Sequence, residues 1–198
     1  MPTAIRIFSA ALLFAASLSS LAAAPTVTAD RENTYEVEIL VFENQLPDLQ
    51  GGELLTHDTA KPLHPISDTA EPPQNIPGDS YMQPTLTTLL QKDGHYRILA
   101  HARWLQSLDA KDIAKPVRIT SGSPANPGEI DGTIRFFMSR FLHLSVNLQF
   151  RDPASADPAA PTVYRMNEQR RIKSLELNYF DHPRFGVLAR VVPVENKP

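Results

Sequence analysis

The chain has 198 residues, no cysteine and a formal net charge of -3, which excludes a disulfide framework, a thiolate metal site and a lipid carried on an amino-terminal Cys. A charge this mild gives no electrostatic footprint for nucleic acid. It is unevenly spread, however: residues 25–129 hold 15 acids and 8 bases while residues 130–198 hold 7 and 10, so the carboxyl-terminal half is the basic one.

At the amino terminus Arg6 precedes an apolar run from Ile7 to Leu21 that contains Ser9, Ser17, Ser19 and Ser20. The run is too short and too polar for a span of roughly 20 apolar residues, so a secretory signal peptide is expected over residues 1–22. Pro25 would block cleavage after Ala24, which places the cut after Ala22, with Ser20 three positions earlier. Retention as an anchor is the alternative, and no Lys/Arg stop-transfer cluster follows residue 24 to support it; membrane contact is expected only through an uncleaved signal. Residues 23–198 are then a single exported domain of ordinary size.

Tyr35 to Phe42 alternates, with Tyr35, Val37, Ile39 and Val41 on one face and Glu36 and Glu38 on the other, which predicts a strand with one wet face. From residue 43 to 80 the period is lost among Pro47, Gly51, Gly52, Pro62, Pro65, Pro72, Pro73, Pro77 and Gly78, predicting a long, exposed, mobile loop carrying His57 and His64. Pro84 opens a short helix that Gly94 can end in a left-handed turn. Strands follow at Tyr96 to Trp104 and at Val117 to Thr120. Ile130 to Phe150 alternates as two strands or one long bent one, with His143, Ser145, Asn147 and Gln149 on the polar side. After a Pro, Ala and Asp loop from Asp152 to Pro161 come strands at Tyr164 to Lys173 and Gly186 to Pro193, with Glu176 to Phe180 extended. Strand neighbours joined by short turns favour an α+β domain on an antiparallel sheet with one or two short helices.

Several of these stretches carry a resemblance: Tyr35-Glu-Val-Glu-Ile-Leu-Val-Phe42, the Tyr96 to Gln106 strand ending Trp104-Leu-Gln106, Gly132 to Phe150 with Arg140-Phe-Leu-His143, and Arg170-Arg171 followed by Glu176 to Val187. Together they resemble the CsiV proteins, peptidoglycan-binding periplasmic factors needed for cell shape integrity. The resemblance implies a non-enzymatic, periplasmic role in which the protein binds peptidoglycan. It further implies assistance to a bifunctional penicillin-binding synthase that depends on an outer-membrane lipoprotein activator.

The residues themselves leave alternatives open. Arg170, Arg171 and Lys173, with Arg140 and Arg165, can form a positive face for stem-peptide carboxylates, which Arg holds with a bidentate fork, or can each pair with an acid such as Glu168 or Glu176. Trp104, the only tryptophan, can offer a sugar platform or pack in the core. Candidate ligand-binding residues are therefore Trp104, Arg140, Arg170, Arg171 and Tyr179. Asp181-His182-Pro183 invites a general-base reading, but adjacent extended residues point opposite ways, and a turn fixed by His182 accounts for them. His101 and His143 read as satisfied strand residues. A wall hydrolase has only scattered acids, Glu129, Asp131 and Asp181, to draw on, and no His-x-x-x-His or Gly-x-Ser-x-Gly motif; no cofactor or metal motif is present. A protein-interaction module docking through an exposed sheet edge, without touching glycan, is the remaining alternative.

Overall fold

The computed structural model describes residues 33–46, 70–77, 80–82, 94–111, 114–121, 129–153 and 162–194. The strands are β1 (Thr34–Asn44), β2 (Tyr96–Ser107), β3 (Val117–Thr120), β4 (Ile130–Met138), β5 (Leu142–Arg151), β6 (Val163–Arg171), β7 (Leu177–Phe180) and β8 (Phe185–Pro193). They form two antiparallel sheets, ordered β2-β1-β8-β7 and β3-β4-β5-β6.

The expected α+β class on one sheet is thereby corrected to an all-β sandwich, with no α-helix among the described residues. Each strand carries one apolar face, which must be covered. The second sheet provides that cover. Val37, Ile39 and Val41 of β1 and Val187, Ala189 and Val191 of β8 share a buried cluster with Ile134 and Phe136 of β4 and Leu144, Val146 and Leu148 of β5. Each of the larger side chains contributes about 1.5–3 kcal/mol by leaving water. Edge-to-face contact of Tyr35 with Phe136 at 5.3 Å and tilted packing of Phe150 on Phe185 at 5.8 Å join the layers. The helix expected from Pro84 lies outside the described residues; Gly94, its expected end, does take a left-handed φ of 66°. The long alternating stretch from Ile130 is two strands, broken at Ser139–Phe141, where Ser139 N donates to Phe141 O at 3.0 Å.

Two further expectations change. The second face of β1 is not wet: Glu38, Leu40 and Phe42 are buried, because other groups cover it, with buried Ser80 donating its hydroxyl to Glu38 and the rings of Tyr96 and Tyr179 packed on Phe42. The segment expected as loop over 43–80 begins inside β1, and residues 70–77 form a strap between the sheets. Arg118 N of β3 donates to Glu71 O at 2.8 Å, and Ile76 N donates to Arg103 O of β2 at 3.0 Å. His57 and His64 lie outside the described residues, as do residues 1–32.

Candidate functional site

The outward face of the β3-β4-β5-β6 sheet is where the basic half of the chain is displayed. Antiparallel register sets its rows: Asp131–Gln149–Arg165, Thr133–Asn147–Asn167, Arg135–Ser145–Gln169 and Phe137–His143–Arg171. Arg118 and Thr120 extend two rows onto β3, and Arg151 stands opposite Val163. Strands about 4.8 Å apart set these side chains next to one another as one extended, mostly polar surface. Arg118, Arg135, Arg151, Arg165 and Arg171 face a single acid on these strands, Asp131, and Arg118 holds that acid through two bonds of 3.0 and 3.1 Å. The acids at the rim are engaged elsewhere, Glu129 by Arg97 at 2.5 Å and Asp152 by Arg184 at 2.6 Å. Arg135 Nε and Gln149 Oε1 are shielded from solvent without a hydrogen-bond partner among the described residues.

The residues singled out from sequence divide between faces. Arg171 and Arg140 stay with the basic face at its β4–β5 end. Their guanidinium carbons lie 3.6 and 5.5 Å from the ring of the exposed Phe141, and neither meets a carboxylate among the described residues. His143 donates Nδ1–H to Phe141 O at 2.8 Å and stacks on Phe137. Arg170 points the opposite way from Arg171, as adjacent strand residues must. It lies 3.9 Å from the Phe180 ring centre, donates to Tyr179 O and pairs with Glu168 at 3.3 Å, tying β6 to β7. Tyr179 is on the other sheet, stacked on Phe42 and donating its hydroxyl to Asp181 at 2.6 Å. Burial, with the Asp181 carboxylate beside it, pushes that phenol well above its ordinary range. Trp104 is 3% exposed in the core cluster, its indole N–H donating to Gln106 Oε1 at 3.0 Å. His182 accepts the Arg184 amide N–H at 3.1 Å through Nδ1, fixing the turn, and burial holds its imidazole below the ordinary value.

The family model described as "Peptidoglycan-binding protein, CsiV" matches residues 66–194. The chain belongs to the CsiV family. No curated protein and no solved structure matches it. The CsiV match takes in β2 through β8 and the strap, and so the whole basic face; β1 precedes it.

Sequence reading missed Arg118, Arg135, Asn147, Gln149, Asn167 and Gln169 as members of one surface. The signal was available in the alternation of polar, mostly non-acidic residues on β5 and β6. What was missing was the pairing that sets those rows side by side.

Proposed function

We propose that this CsiV-family chain binds peptidoglycan without cleaving it, through the outward face of the β3-β4-β5-β6 sheet. The observation that carries this reading is the concentration of five arginines and four side-chain amides on one sheet face whose one acid among the described residues is already paired. Arg forks suit the carboxylates of stem peptides, and Asn and Gln both donate to and accept from sugar hydroxyls and acetamido groups. An extended sheet face suits a polymer better than a small substrate, which sites of catalysis usually enclose. The hydrolase candidates fit a non-catalytic role: Glu129, Asp131 and Asp181 are each held by Arg97, Arg118 or Tyr179. We further propose export to the periplasm and assistance to a bifunctional penicillin-binding synthase or its outer-membrane lipoprotein activator, both suggested by the family resemblance.

The binding reading is tested by co-sedimentation with purified sacculi. Arg140→Glu and Arg171→Glu are each expected to weaken binding about fivefold, the effect of about 1 kcal/mol at an exposed charge, and binding should fall as salt rises. Both variants should melt like the parent. Arg170→Glu, by contrast, should lower the melting temperature, since it breaks the link to Phe180 and Tyr179. Equal sedimentation of the parent and both exposed-site variants would rule this face out, and release of soluble muropeptides would rule out the non-catalytic role. Processing is checked by intact mass: the periplasmic species should begin at Ala23, and a membrane-bound species retaining Met1 would show an anchor.

An interaction module is a second reading, favoured by β7, which among the described residues pairs only with β8 and leaves Leu175, Leu177 and Tyr179 exposed at the sheet edge.

A further inference from the structure

The sandwich has a recess on the side where β2 and β3 belong to different sheets and do not pair. The strap over residues 70–77 crosses that gap. It is anchored on β3 by Glu71 O and on β2 by Ile76 N and by the Asn75 side chain, whose Oδ1 accepts from Arg103 N at 3.2 Å. Between these anchors stand Pro72 and Pro73, which have no amide hydrogen and so cannot extend a strand ladder. A cleft of about 470 Å3 therefore stays open beneath the strap, within the roughly 300–1,000 Å3 typical of small-ligand sites.

Its apolar walls are Pro72, Pro73 and Pro116, with Trp104 from the core side, Leu105 of β2 and Val117 of β3. Lys115, Gln74 and Glu71, all exposed, supply the polar groups. Trp104, 3% exposed, closes the floor beneath the three prolines, and their ring carbons offer an apolar surface to the C–H face of a pyranose ring. Gln74 and Glu71 can serve its hydroxyls and acetamido N–H, and the Lys115 ammonium suits a carboxylate on a neighbouring substituent.

We infer that this cleft is a distinct subsite for one N-acetylated amino sugar bearing a carboxylate-containing peptide substituent, with Lys115 on the carboxylate. The inference rests on the peptidoglycan reading but not on the basic face. Trp104 is then the floor of a half-open subsite rather than an open platform.

Because Trp104 is the only tryptophan, its emission reports the cleft directly. Titration of the full chain with N-acetylmuramyl-L-alanyl-D-glutamate should give a saturable change in Trp104 emission. Lys115→Glu, at an exposed position, should raise the half-saturating concentration about tenfold, while uncharged di-N-acetylchitobiose should titrate parent and variant alike. If the parent pellets with sacculi but its emission does not respond to the muramyl peptide, the subsite is wrong and the face reading stands. If emission saturates but sacculi binding ignores Arg140→Glu and Arg171→Glu, the face falls and the cleft remains. An unchanged titration in Lys115→Glu overturns the assignment of the carboxylate to Lys115.

Discussion

Gly132→Ala is expected to destabilise the domain by about 4 kcal/mol, at the top of the range for single substitutions, and to leave little folded protein at 37 °C. Gly132 sits in β4 opposite Leu148. A Cβ there would lie 2.1 Å from the Asn147 carbonyl oxygen and 2.7 Å from Leu148 Cα. Both are backbone atoms of the adjacent strand, so relief requires parting β4 from β5 beside Leu148, a member of the core cluster. Gly186 gives the contrast. Its added Cβ would meet the ring of Phe42 at 2.5 Å and that of Tyr179 at 2.9 Å, both ends of side chains that can swing, so Gly186→Ala should cost about 1–2 kcal/mol. Urea denaturation of the two variants measures the difference, and equal midpoints would show that the β4–β5 approach is not the constraint described.

The second large effect is expected at Glu38. This carboxylate is 1% exposed, yet Oε1 accepts from the Ser80 hydroxyl and from His101 Nε2 at 2.8 Å, while the Ser80 oxygen accepts from Met82 N at 3.2 Å. Burial alone would raise the Glu38 pKa. The hydrogen bonds from His101 and Ser80, and the attraction of His101, outweigh it and hold the carboxyl below its ordinary 4.5. Glu38→Ala should cost about 3 kcal/mol, because it leaves enclosed donors without their acceptor, and should release the 80–82 segment from the sheet; Glu38→Gln should cost about 1 kcal/mol.

The pH dependence follows from the sign of the shift. A folded-state pKa below the unfolded one means the stabilisation is complete above pH 4.5 and is lost as pH falls through the lower folded value. The gap in urea midpoint between parent and Glu38→Gln should therefore be present at pH 5 and close as pH falls below 4.5. A gap that persists to pH 3 would show that the charge of Glu38 is not what stabilises the fold.

The strands were legible because period-2 alternation is a local property of the backbone. Val117–Thr120, only four residues long, was readable between its Pro and Gly neighbours. The segment before residue 80 was read as loop because proline removes both periodicity and ladder donors. The same property leaves Pro72 and Pro73 as a strap that bonds to both sheets only at its ends. Its contacts pair Glu71 with Val117 and Ile76 with Arg103, far apart in the chain, and no local pattern encodes them.

The sequence by itself determined which residues share a face of each strand, the basic character of the carboxyl-terminal half, the absence of thiol chemistry and the family to which the chain belongs. Tertiary structure decided what each face meets. Alternation separates Arg170 from Arg171, but only the pairing of β6 with β5 and the approach of β7 set Arg171 over Phe141 and Arg170 over Phe180. It likewise turned Trp104 inward and buried Glu38, because a side chain's exposure depends on which distant element covers its face, and that is fixed by strand order and layer packing rather than by its neighbours in sequence.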